Sequence, residues 1–178
     1  MAKSKKEKIV YSAKECAYIA VFVALTIASQ LALSFAPGVE VVTVLFVAYA
    51  FSFGVIRGML AATAFSLLRL VMFSADIKTL VLYLIYYNAL TLTFGLLGKK
   101  GKRLGKSLPF IVGIACVCTA CFTLLDNFLT PLWYGYTQKA AQLYFRYSLP
   151  VMLTQTVCTA ITVTLLFLPL RKAFSLFV

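Results

Sequence analysis

The chain has 178 residues, of which 62% are hydrophobic and 12% are charged, and its formal net charge is +12. Because soluble domains carry charge on about a quarter of their residues, this composition excludes an ordinary soluble domain. It predicts an all-α integral membrane protein, a single membrane domain (residues 1–178) built as a bundle of six transmembrane helices.

The first predicted span covers about residues 16–36 and follows a lysine-rich tail. Its apolar run exceeds the ~7–15 residues of a signal peptide's core, so we expect the span to be retained. Alanine recurs along this helix, and at about 100° per residue the alanines occupy an arc of roughly 120° on one face. They are Ala13, Ala17, Ala20, Ala24, Ala28 and Ala32.

A flat strip of small residues lets a second helix backbone approach closely. In lipid, this close packing replaces the hydrophobic drive that lipid removes. Two interpretations follow: the strip packs inside the protein's own bundle, or it docks a partner's helix. The sequence alone leaves both open.

Five further spans are predicted at about residues 41–56, 58–75, 79–98, 107–125 and 147–170. The second is short for a bilayer, which needs ~20 apolar residues, so we expect the membrane to thin or the flanking side chains to snorkel there. A basic loop, 99–106, joins the fourth and fifth spans, and a long polar loop, 126–146, joins the last two.

The distribution of basic residues predicts the orientation. With the N-terminus in the cytoplasm, thirteen of the seventeen Lys and Arg residues fall on the cytoplasmic side. This positive-inside bias places both termini and the 99–106 loop in the cytoplasm and the 126–146 loop outside. The net charge is therefore a topology signal with an added attraction to anionic membrane lipid, and nucleic acid is not expected as a partner.

The chain offers little for catalysis, and we predict that it is not an enzyme. It has no histidine and only five acidic residues, so we expect no metal site, no cofactor and no catalytic constellation. The cysteines at 116, 118 and 121 are interpreted as small apolar residues of the fifth span. Residues 101–107 resemble a phosphate-binding loop but are one residue short, so any ATP would bind another polypeptide.

Polar and aromatic residues gather on the predicted outer side, as a small-molecule pocket requires. Arg69 interrupts an apolar span, and intramembrane charges usually face the bundle interior. It either contacts an anionic group of a ligand or holds Asp76, Asp126 or Glu40 in place. The alternative is an interfacial aromatic belt with Arg69 snorkelling outward. The predicted substrate-binding residues are Glu40, Arg69, Asp76, Tyr83, Tyr87, Asn88, Asp126, Asn127, Trp133, Tyr136, Arg146 and Gln155.

Six short spans with both ends inside, the A-x-x-x-A pattern of the first helix and the aromatic outer side resemble the S component, the substrate-binding subunit of an energy-coupling factor (ECF) vitamin transporter. Residues 53–58 and 82–88 are similar to this family as well. The resemblance implies a multi-pass protein of the bacterial plasma membrane that binds a vitamin or related micronutrient from outside. It also implies that the alanine face docks on a transmembrane coupling protein, which sits on two ATPase subunits. The alternative function is a six-span structural scaffold of the cell-shape and wall-synthesis type, which needs no ligand pocket.

Overall fold

The computed structural model describes residues 13–35, 40–74, 76–100 and 107–176, without the side chain of Lys100. Within these ranges the chain forms helices and no strand, so the predicted all-α class is confirmed for them. The lysine-rich tail and residues 101–106 of the predicted basic loop lie outside the described residues. The six helices are α1 (Ala13–Ala32), α2 (Val42–Phe53), α3 (Val55–Met72), α4 (Ile77–Lys100), α5 (Leu108–Tyr134) and α6 (Gln138–Phe174).

Five of the described helices, α1 and α3 to α6, are long and apolar enough to cross a membrane. This agrees with a membrane-embedded protein. The 27 residues of α5 and the 37 residues of α6 extend about 40 Å and about 55 Å at 1.5 Å per residue. Both lengths exceed the ~30 Å of a hydrocarbon core, so either helix would project beyond the core if it crossed without tilting.

The second predicted span, 41–56, is not confirmed as a span. Its helix, α2, has 12 residues and is about 18 Å long, too short to cross the hydrocarbon alone. The apolar run continues in sequence, but Gly54 interrupts the helix with φ +87° and ψ 179°. Only glycine adopts such angles without strain, and α3 begins at the next residue.

Burial makes α2 the centre of the bundle, since ten of its twelve residues are buried. It packs against all five other helices, most extensively against α4 and α6. Aromatic rings fill the contacts around it: Phe46 lies 4.7 Å from Tyr87 and 5.3 Å from Phe65 between ring centroids, and Tyr49 stacks on Phe22 at 3.9 Å. This aromatic core fixes the position of α4 relative to α1 and α3.

The α3–α4 contact is close because α4 carries a glycine where α3 begins. A Cβ atom built on Gly95 would lie 2.7 Å from the backbone nitrogen of Val55 and 2.8 Å from its Cα atom. Real Cβ atoms do not approach backbone atoms so closely, since the overlap is strongly repulsive. Glycine at position 95 therefore allows the two backbones to touch.

The predicted outer loop over 126–146 is helical instead. Helix α5 continues to Tyr134, α6 begins at Gln138, and only three residues connect them. Gly135 ends α5 in the left-handed conformation with φ +62°, the usual way for a helix to stop abruptly. The polar and aromatic residues of this segment thus lie on a helical hairpin formed by the end of α5 and the start of α6, called here the α5–α6 hairpin.

Candidate functional site

A polar cavity of about 300 Å³ opens at the end of the bundle where α1 finishes and α4 begins, called here the cavity end. It brings together four of the predicted substrate-binding residues, Glu40, Arg69, Tyr83 and Gln155. Because these come from the segment before α2 and from α3, α4 and α6, the cavity exists only in the assembled bundle. Its walls are Ser29, Gln30, Leu33, Ser34, Glu40, Val41, Val42, Arg69, Phe73, Tyr83, Phe122 and Gln155.

Arg69 faces this cavity from the last turn of α3 and is held on two sides. Its Nε atom donates a hydrogen bond to Gln30 Oε1 at 3.1 Å. Its guanidinium carbon lies 3.9 Å from the ring centroid of Tyr83 and 5.4 Å from that of Phe73. Such stacking on aromatic faces is favourable and orients the guanidinium plane. Neither Nη atom has a hydrogen-bond partner among the described residues.

Glu40 supplies the carboxyl group of the cavity wall. Its Oε1 atom accepts a 2.8 Å hydrogen bond from the hydroxyl of Tyr87, and its backbone N–H donates to the sulfur of Cys158 at 3.3 Å. Burial raises the pKa of the Glu40 carboxyl above its ordinary value of 4.5, although hydrogen bonds from Tyr87 and Thr43 and the charge of Arg69 oppose this effect. Arg69 therefore acts on Glu40 through its field, without forming an ion pair among the described residues.

A second cavity of about 240 Å³ lies beside the first and shares Phe122 and Gln155 with it. The Gln155 side chain is half-buried between the two, and its Oε1 atom accepts a hydrogen bond from the Thr123 hydroxyl at 3.2 Å. Its amide nitrogen has no partner among the described residues. The second cavity is lined by Phe122, Thr123, Asp126, Tyr144, Tyr147, Ser148, Val151 and Gln155.

Asp126 lines the second cavity, but its carboxylate is already occupied. Lys78 donates to Oδ1 at 3.0 Å, Thr130 donates to the same oxygen at 2.9 Å, and Tyr144 donates to Oδ2 at 2.6 Å. Removing Lys78 would leave the charge of a half-buried carboxylate uncompensated, and removing Thr130 or Tyr144 would cost it a hydrogen bond. Asp126 therefore ties α4 to the α5–α6 hairpin, and this network accounts for it without a ligand.

The other predicted residues do not line the first cavity. Tyr87 is fully buried behind Glu40. Asn88 donates to the Leu84 carbonyl at 2.8 Å and faces Thr63 of α3. Asp76 accepts a 2.7 Å hydrogen bond from Tyr134. Four further residues lie on the α5–α6 hairpin, away from the first cavity: Asn127, whose buried amide atoms have no partner, and the exposed side chains of Trp133, Tyr136 and Arg146.

Eight of the twelve wall residues were not predicted from the sequence, and Gln30, Phe73 and Phe122 are the ones among them that bear on the chemistry of the cavity. Gln30 carried a usable signal, because it is a polar residue near the outer end of an apolar helix, as Arg69 is. Phenylalanine in a membrane helix carries no such signal, since it is equally typical of lipid-facing and core positions.

The alanine face of α1 is exposed along its whole length: all six alanines point away from the bundle. The buried residues of α1, namely Phe22, Val23 and Thr26, lie on the opposite side of the helix. The described residues therefore leave the strip exposed instead of packing it inside the bundle. An apolar groove of about 250 Å³ borders it, lined by Tyr18, Val21, Phe22, Leu25, Tyr49, Phe53 and Phe174.

The opposite end of the bundle is rich in basic residues. Arg57 of α3 forms an ion pair with Glu15 of α1 there, and Lys99, Arg171 and Lys172 lie at the same end. Across the described residues, no group of three or more His, Cys, Asp or Glu side chains could hold a metal ion.

Comparison with known proteins gives this geometry no named counterpart. No family model, no curated protein and no solved structure matches the chain.

Proposed function

We propose that this protein is the substrate-capture subunit of an importer of the ECF type. It binds a vitamin-like small molecule from outside the bacterial plasma membrane and delivers it through a transmembrane coupling protein that sits on two ATPases. The observation that carries the proposal is the polar cavity at one end of an otherwise apolar bundle, with an arginine whose Nη atoms have no described partner. Ionisable groups at membrane depth are costly and usually serve a ligand or transport path.

The orientation of the cavity supports capture from outside. Arg57, Lys99, Arg171 and Lys172 gather at the end opposite the cavity. By the positive-inside rule the basic end is cytoplasmic. The cavity end then faces the exterior, where an importer first meets its substrate.

The exposed alanine strip supports the second half of the proposal, delivery to a partner. A membrane helix that turns its small residues outward leaves a flat surface with little apolar bulk, on which another helix can pack closely. The proposal assigns the strip to the coupling protein.

The test is mass spectrometry of small molecules released from the protein after purification in a mild detergent. We expect one compound at close to one molecule per chain, which rebinds the emptied protein in calorimetric titration. Absence of any bound or rebinding compound from the growth medium would contradict the proposal. That outcome would favour the structural scaffold, which needs no ligand.

A further inference from the structure

The charge balance of the first cavity is uneven. Arg69 brings a positive charge, while the one carboxyl on the described wall, that of Glu40, already accepts a hydrogen bond from Tyr87. Arg69 donates only through Nε, to Gln30. Both Nη atoms, with four N–H donors in the guanidinium geometry, have no partner among the described residues. The cavity therefore presents a positive charge with free hydrogen-bond donors, which an anionic group would pair with.

Arg69 is also fixed in position before any ligand arrives. Gln30 holds the Nε edge, and the Tyr83 ring covers one face of the guanidinium at 3.9 Å. The remaining hydrogen-bonding edge is the pair of Nη atoms. A guanidinium edge matches the two oxygens of a carboxylate or phosphate group, and fixing it in advance lowers the entropic cost of binding.

The rest of the wall suits a flat ring. Phe73 and Phe122 supply aromatic surface, and the free amide nitrogen of Gln155 can donate to a ring nitrogen or carbonyl oxygen. A cavity of about 300 Å³ lies at the lower end of the range for small-molecule sites, which limits the ring system to a small one. The adjoining cavity of about 240 Å³ leaves room for a short substituent.

We propose that the ligand is a small aromatic anion, whose carboxylate or phosphate group binds the Nη edge of Arg69 while its ring packs against Phe122 and Phe73. This inference rests on the proposed function and specifies its substrate class. A purely cationic ligand fits less well, because Arg69 would repel it and the Glu40 carboxyl already accepts a hydrogen bond from Tyr87.

The experiment uses compounds below 1 kDa from yeast extract, separated at neutral pH on an anion exchanger into a retained, anionic pool and an unretained pool. Each pool is equilibrated by dialysis against the purified full-length protein, and enriched compounds are identified by mass spectrometry. We expect enrichment from the anionic pool alone. Arg69→Gln should reduce it at least about tenfold, since it removes charge-assisted hydrogen bonds. Lys139→Gln, which removes a charge on the exposed hairpin, should leave it unchanged.

A second measurement does not depend on the variant folding. The enriched compound is compared, on the parent protein, with its neutral amide if it is a carboxylate or its dephosphorylated form if it is a phosphate ester. We expect the neutral form to bind at least about tenfold more weakly. Equal binding of the two forms, or enrichment from the unretained pool, would overturn the inference and leave the proposed function intact. Enrichment from neither pool would refute both.

Discussion

Replacing Gly95 by alanine tests the closest helix contact in the bundle. The added methyl group would lie 2.7 Å from the Val55 nitrogen, a backbone atom that cannot rotate away as a side chain can. Gly113 of α5 provides the matched control, because a Cβ atom there meets nothing within 4 Å. The two substitutions are chemically identical and both lie inside a helix.

The expected magnitudes follow from two opposing terms. Glycine to alanine inside a helix gains about 0.8–1 kcal/mol of stability at either position. At Gly95 the methyl group must also push α3 and α4 apart, and overpacking of this kind typically costs about 1–3 kcal/mol. Gly113→Ala should therefore stabilise the protein by about 1 kcal/mol. Gly95→Ala should be about 1–3 kcal/mol less stable than that control, because the helix term cancels in the comparison.

The assay is equilibrium unfolding by SDS in mixed micelles, followed by circular dichroism and by fluorescence of Trp133, the single tryptophan. Parent and variants are compared at one detergent composition. If Gly95→Ala proved as stable as Gly113→Ala, the backbones of α3 and α4 would not touch at Gly95, and the packing described between Gly95 and Val55 would be wrong.

Three further predictions concern docking, pH and topology. Ala24→Leu should prevent assembly with the coupling protein but leave the free energy of unfolding and ligand binding near those of the parent, because Ala24 is exposed. The control, Ala89→Leu at an exposed position of α4, should assemble normally. Equal assembly of the two variants would contradict the docking role. Because burial raises the pKa of Glu40 above 4.5, the folded state loses stability as the pH rises through that raised pKa and the carboxyl ionises. Glu40→Gln should therefore raise the thermal midpoint most at neutral pH and progressively less as the pH falls toward 4.5; a gain that grew on acidification would refute this reasoning. The topology is tested in a variant with all five cysteines replaced by alanine. In intact cells, Gly101→Cys should resist an impermeant maleimide and Lys139→Cys should react with it. The reverse pattern would show that the predicted orientation is inverted.

Sequence reasoning succeeded where composition decides the outcome. The high apolar fraction predicts membrane-embedded helices, since their backbone groups must be satisfied within each segment. Arg69 could also be identified as a candidate, because a charged residue in an apolar span is costly and usually faces the bundle interior. Its partner Gln30 could not be assigned, since nothing in the sequence shows that α1 and α3 meet at these two positions.

Sequence reasoning failed where backbone geometry decides the outcome. The uncharged run across Gly54 predicts one continuous span, and only the positive φ at that residue reveals two helices. The 126–146 segment is polar enough to suggest a loop, but polarity does not separate a loop from a helix that extends beyond the membrane. Asp126 was predicted as a site residue because the sequence does not show that Lys78 pairs with it. The two residues lie on different helices, and no local sequence pattern links them.

The buried, short helix α2 also constrains how the protein is made. A segment of about 18 Å cannot anchor itself across ~30 Å of hydrocarbon, and the surfaces that enclose it belong mainly to α4 and α6, which leave the ribosome later. During synthesis, α2 therefore depends on α1 and α3 for retention in the bilayer and remains incompletely shielded until α6, the last helix, is inserted. A chain truncated before α6 would leave one side of this apolar core segment uncovered, which makes it a natural target for membrane quality-control proteases.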